Sequence, residues 1–110
     1  MLPKENRICS GERIKEILSA KQLHLSTPEL KIVAQKSDTP YPRLAVICSK
    51  KIGNAVTRNR WRRRVRGLWL KKTHNKAKNI DFVIIAKCEN IDNDLVGKAI
   101  EKVVNAGSNS

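Results

Sequence analysis

Eight lysines and arginines fall within KKIGNAVTRNRWRRRVR, the seventeen residues from Lys50 to Arg66, and no carboxylate does. This chemistry suits phosphate. Arginine offers a planar fork of donors and lysine a compact charge. Gly53 can supply a positive-φ turn, and Asn54 is a good helix N-cap. A helix starting there points free N–H groups and its positive dipole end at an anion. Lys50 and Lys51 sit just before it. Arg58, Asn59 and Arg60 lie in its first two turns, where Asn59 can bond a base edge or a sugar.

The same residues exclude other chemistries. Gly53 has no partner glycine at phosphate-loop spacing. His24 and His74 lie in polar surroundings and form no ligand set, so no metal site is expected. No carboxylate pair stands out for metal-assisted hydrolysis. Three cysteines, Cys9, Cys48 and Cys88, include no Cys-x-x-Cys pair and read as small buried hydrophobes.

Net charge is +13, and it is concentrated. No acid occurs between Asp38 and Asp81, while thirteen of the 23 lysines and arginines do. The other ten are matched by all ten carboxylates. A polyanionic partner follows. Membrane surfaces also attract Lys and Arg, but the arginine bias and the folded pattern favour nucleic acid. No apolar run reaches the roughly 20 residues of a membrane span. The N-terminus lacks an apolar signal core and carries Glu5 and Glu12, so a cytoplasmic location is expected.

The 110 residues make one domain, 1–110, with a frayed tail at about 106–110. Arg13–Ala20 reads as a helix with Ile14, Ile17 and Leu18 on one face and Ser10 as its cap. Leu23–Ser26 is a brief strand, broken by Thr27-Pro28. Glu29–Lys36 is a strand with Leu30, Ile32 and Ala34 on one face and Lys31, Val33 and Gln35 on the other. Residues 37–42 form a turn with two prolines. Arg43–Ser49 is apolar on both faces and so is expected to be central. Ile80–Cys88 is a second such strand, parallel to the first. Between them lies a helix whose apolar face is Trp61, Val65, Leu68 and Trp69, within roughly 100° on a 3.6-residue wheel. Arg60, Arg63, Arg64 and Lys71 point the other way, and Arg62 and Arg66 flank. Gly67 costs this helix about 1 kcal/mol relative to Ala. A final helix begins at Asp92 or Asn93, with Leu95, Val96, Ala99, Ile100, Val103 and Val104 as its apolar stripe.

SKKIGNAVTRNRWRRRVR (49–66) closely resembles the signature of the bacterial ribonuclease P protein subunit. Ser49, Lys50, Lys51, Gly53, Asn54, Ala55, Val56, Arg58, Asn59, Arg60 and Arg63 match its fixed positions. NRI at 6–8 and DFVIIAK at 81–87 resemble further family segments. The resemblance implies an α/β (α+β) two-layer sandwich in the order αβββαβα. It also implies a left-handed βαβ crossover, where general rules favour right-handed in ~98% of cases. It implies a protein that assists a catalytic RNA. That RNA, using Mg²⁺, removes the 5′ leader of precursor tRNA, and the protein supplies no catalytic group or cofactor. Lys50, Lys51, Asn54, Arg58, Asn59, Arg60 and Arg63 are then expected to bind the catalytic RNA, with Arg62, Arg64 and Arg66 on the same helix. Neither membrane nor DNA is an expected partner.

The family's leader groove usually carries aromatics on the first helix and following strand. Here the corresponding positions read as Ile14, Leu18, Ile32 and Val33, with Lys31 and Lys87 at the edges. None is aromatic. Ile14 and Leu18 can equally be core. A ribosomal or other structured-RNA-binding protein is the alternative that charge alone leaves open. A major-groove DNA reader is disfavoured, because no helix-turn-helix pair is evident.

Overall fold

The computed structural model describes residues 8, 11–20, 22–37, 42–73, 79–89 and 92–108. In chain order these form α1 (Gly11–Ala20), β1 (Leu23–Ser26), β2 (Leu30–Lys36), β3 (Arg43–Ile47), α2 (Ala55–Thr73), β4 (Ile80–Ala86) and α3 (Asn93–Ser108). A short 3₁₀ turn, Lys50–Ile52, leads into α2. The αβββαβα order is the expected one. The Ser10 cap, turn residues 38–41, Asn6, Arg7, Cys9, His74 and tail residues 109–110 lie outside the described residues.

The strands make one sheet in the order β1-β2-β4-β3. β2 runs antiparallel to both neighbours, and β3 runs parallel to β4. β4 is apolar at all but Asp81 and occupies the centre, buried on both faces. The larger core lies between the sheet and the α2–α3 layer. Ile32, Ala34, Leu44, Phe82 and Ile84 meet Trp61, Val65 and Trp69 of α2 and Val96, Ile100 and Val104 of α3. Trp69 stands edge-on to Phe82, with ring centroids 5.8 Å apart at 79°, a favoured aromatic geometry. On the other face Ile17 of α1 covers Val33 and Val83, with Ile8 beside them. The main layer pair is the expected sandwich, and α1 adds a partial cover to its second face.

β3 is an edge strand, not a central one. Its apolar residues are explained by cover rather than by pairing. α2 packs over one face, and the Ile8 N–H donates to the Leu44 carbonyl on the outer edge at 3.1 Å. Two strands are shorter than expected. β3 stops at Ile47 rather than Ser49, where the 3₁₀ turn takes over. β4 stops at Ala86 rather than Cys88, because the Lys87 and Cys88 amides both turn to the Glu29 carbonyl, at 2.9 and 3.4 Å. β2 begins at Leu30, one residue later than expected, and α1 begins at Gly11, two residues earlier. Asp92 is the cap of α3: its Oδ1 accepts from the amides of Asp94 and Leu95 at 3.0 and 3.3 Å. Leu95 leaves the apolar stripe and is 48% exposed, since it lies about 100° round the helix from Val96, which is buried in the core. α3 runs to Ser108, into the segment expected to fray.

Candidate nucleic-acid interface

The entry to α2 is built from backbone constraints. The Ile52 amide donates to the Ser49 carbonyl at 3.0 Å, and the Gly53 amide to the Lys50 carbonyl at 3.3 Å. Ile52 is buried in the main core and pins this turn, leaving Lys50 and Lys51 exposed. Gly53 has φ 148°, and a Cβ there would meet Thr57 Cγ2 at 2.9 Å. Only glycine fits both demands. Asn54 then caps the helix: its Oδ1 accepts from the Thr57 amide at 2.9 Å, and its carbonyl from the Arg58 amide at 3.0 Å. The Asn54 side-chain oxygen is therefore engaged by its own helix. Val56 lies in the first turn and is 64% exposed, an apolar spot within the basic surface that spacing alone had not marked as a surface residue.

Beyond the cap, the wheel reading holds. Trp61, Val65 and Trp69 are buried, and Leu68 is half-buried. Asn59, Arg60, Arg63, Arg64 and Lys71 are exposed, while Arg58, Arg62 and Arg66 are half-buried along the flanks. Among the described residues Lys50, Lys51, Arg58, Arg60, Arg62, Arg63 and Arg64 make no ion pair. Arg62 Nη1 donates only a long bond to Asn59 Oδ1, 3.4 Å. Beneath them sits buried Cys48. Burial pushes its thiol up from the usual range, against the opposing pull of Arg62 and Arg58, so the group stays a neutral thiol. Cys88 is half-buried.

The second face of the sheet is ordered in rows by strand register. Gln35, Asp81 and Arg43 form one row. His24, Val33, Val83 and Ala45 form the next, and Ser26, Lys31, Ile85 and Ile47 the third. α1 lies over the first two. The third is left partly open, so Ile85 and Ile47 are half-buried and make an aliphatic floor. Ile14 and Leu18 border it from α1, half-buried. Lys31 is half-buried, and Lys87 is exposed and donates to Ser26 Oγ. Two expectations change here. Val33 is fully buried under Ile17, so it supports this surface from below. Ile32 points to the opposite face, into the main core, because neighbouring strand residues alternate. Ile47, Ile85, Ser26 and His24 were not anticipated. Their alignment needs the β3–β4 and β1–β2 registers, which single-strand patterning does not give. A depression of about 210 Å³ at the outer edge of β3 joins Ile14, Ala45 and Ile47 to Arg66 of the basic helix.

Among the described residues no group of three His, Cys, Asp or Glu is placed to hold a metal. No helix among them is long and apolar enough to cross a membrane. Fold and surface thus define a small basic α/β protein that presents an arginine-rich helix on one side of its sheet. Comparison with known proteins gives the family. The Ribonuclease P family profile matches residues 2–106. The chain is 41% identical over 83 residues to the ribonuclease P protein component of Syntrophus aciditrophicus, covering 70% of this chain and 69% of that one. It is 34% identical over 104 residues to that of Photobacterium profundum, covering 91% and 86%. In fold it is similar to the Staphylococcus aureus RNase P protein, with TM-score 0.74, 21% identity and coverage of 92% and 94%. It is also similar to that of Thermotoga maritima, with TM-score 0.64, 23% identity and coverage of 89% and 93%. The chain belongs to the ribonuclease P protein family, the protein components of the ribonucleoprotein enzyme that processes the 5′ ends of tRNA.

Proposed function

We propose that the α2 surface, with Lys50, Lys51, Arg58, Asn59, Arg60, Arg62, Arg63, Arg64 and Arg66, binds the catalytic RNA of ribonuclease P. Asn54 holds the turn that presents it. The observation that carries this is that Arg58, Arg60, Arg62, Arg63 and Arg64 stand on a docked helix with no carboxylate partner among the described residues. Such charges neutralise phosphates and release counterions. They lower the electrostatic cost of packing the catalytic RNA against precursor tRNA. Mg²⁺ and the bond-breaking chemistry belong to the RNA. The protein works in the cytoplasm as a binding subunit.

The open row on the second face takes the single-stranded 5′ leader of the precursor. Ile47 and Ile85 form the floor, Ile14 and Leu18 one wall, and Lys31 and Lys87 supply charge for the backbone. Aromatic stacking contributes about 1–3 kcal/mol per base in single-strand binding, and an aliphatic floor contributes less. The leader is therefore held by packing and charge together.

The test is cleavage of a 5′-extended precursor tRNA at low Mg²⁺ by catalytic RNA alone, protein alone and the mixture. Efficient cutting at the mature 5′ end by the mixture only is the expected result. A protein that binds structured RNA yet adds nothing to cleavage would instead be a general RNA-binding protein.

A further inference from the structure

The polar row under α1 is a hydrogen-bonded unit. Asp81 is fully buried at its centre. Arg43 of β3 donates from Nε to Asp81 Oδ1 at 2.8 Å and from Nη2 to Oδ2 at 2.6 Å. Arg13 of α1 donates from Nε to the same Oδ2 at 2.8 Å. Arg13 Nη1 also reaches Gln35 Oε1 at 2.9 Å and Glu16 Oε2 at 3.1 Å, and Nη2 reaches the Lys36 carbonyl at 3.2 Å. One guanidinium thus ties α1 to β2 and β4, using all three of its nitrogens. Although basic and on the leader face, Arg13 is already engaged within the protein.

The rest of the α1 attachment is apolar: Ile17 over Val33 and Val83, with Ile14 and Leu18 at the margin. Apolar contact is non-directional and does not by itself set a helix's angle on a sheet. A planar fork with several fixed acceptors does. Ile14, the wall residue of the proposed leader site, is the next residue after Arg13, and Leu18 is little more than a turn further on.

We propose that Arg13 is a positioning residue for the leader site, its grip on Asp81, Gln35 and the Lys36 carbonyl fixing the gap between α1 and the Ile47–Ile85 floor at the width of a single RNA strand. This rests on the leader reading above. Arg13 touches no RNA in this account and acts through Ile14 and Leu18.

The test uses holoenzyme reconstituted from the full chain and catalytic RNA. Two precursor tRNAs are compared, one with a long single-stranded leader and one with a single-nucleotide leader. The readout is the ratio of their KM values, with kcat and affinity for the catalytic RNA measured alongside. Wild type is expected to favour the long leader. Arg13→Ala and Arg13→Lys should each lose roughly tenfold of that preference, a size that substitutions outside a site do produce. The short-leader KM, kcat and RNA affinity should not move. Lysine keeps the charge but cannot reach three acceptors at once. Asp81→Asn, buried beyond RNA's reach, should match the loss; thermal melting identifies it if it does not fold, and the Arg13 pair then decides. Wild-type preference in Arg13→Lys but not Arg13→Ala would mean direct charge contact and overturn the proposal. Equal loss on both substrates, or retained preference in every variant, would overturn it too. Absence of leader preference in wild type would sink the leader reading and this proposal together.

Discussion

At one end of the sheet Arg13 and Arg43 close on Asp81 at 2.6–2.8 Å. Along α2, Arg58, Arg60, Arg62, Arg63 and Arg64 meet no carboxylate at all among the described residues. Both regions are arginine-rich, yet their energetics differ in kind. In the first, a buried carboxylate is tolerable only because two guanidiniums satisfy it, and the unit ties four elements together, α1, β2, β3 and β4. In the second, close like charges on a helix cost a few tenths of a kcal/mol each. That cost is offset by the buried Trp61, Val65 and Trp69 on the opposite face. An arginine with an internal carboxylate builds the fold; an arginine without one is available to a polyanion.

The largest effect that would sharpen this contrast is on stability. Asp81→Ala removes the buried carboxylate that the Arg13 and Arg43 guanidiniums share, and breaking a buried pair costs about 3–5 kcal/mol. Chemical denaturation should show that loss, whereas Arg60→Ala should change stability little. Next comes binding. Charge reversal at Arg58 and Arg60 together should weaken catalytic-RNA affinity on the order of a hundredfold at low salt, read by filter binding. Reversal at Lys98 and Lys102 on α3 should have a small effect, and equal losses would break the comparison.

The acid limb of stability separates the regions further. Burial pushes the Asp81 carboxyl up, but hydrogen bonds from Arg43 and Arg13 and their charges outweigh it and hold the group below the usual carboxylate range. A depressed folded value means the stabilisation is complete above the unfolded carboxylate pKa of about 4. It is lost as pH falls below that towards the folded value. Melting temperature should therefore fall on acidification in wild type, and less so in Asp81→Asn. The smallest effect is the response to anions. Phosphate or sulfate should raise the melting temperature of the free protein by linkage, and the Arg58→Glu/Arg60→Glu protein should lose that rise.

The two regions also differ in how far they could be read from sequence. The α2 surface was legible almost whole, because its information is local. Glycine, asparagine cap, helical period and absence of acids all lie within consecutive residues. The order of elements and the parallel β3–β4 pair were legible for a similar reason. The Asp81 unit was not. Arg13 read as a helix residue and Asp81 as the second residue of an apolar strand, and nothing in a separation of 68 residues pairs them. The edge position of β3 was hidden because apolar faces report burial and not neighbours. The open floor at Ile47 and Ile85 depends on register, which is a property of two strands together.

The most direct test of the central claim is the salt dependence of catalytic-RNA binding. For wild type, about six phosphate contacts would give a hundred- to thousandfold loss between roughly 50 and 200 mM salt. Neutralising Arg60 or Arg63 should reduce the slope of log K against log salt by about one each. Neutralising Arg13 should leave the slope unchanged. If Arg13 lowers the slope as Arg60 does, the division between arginines that hold the fold and arginines that hold RNA is wrong.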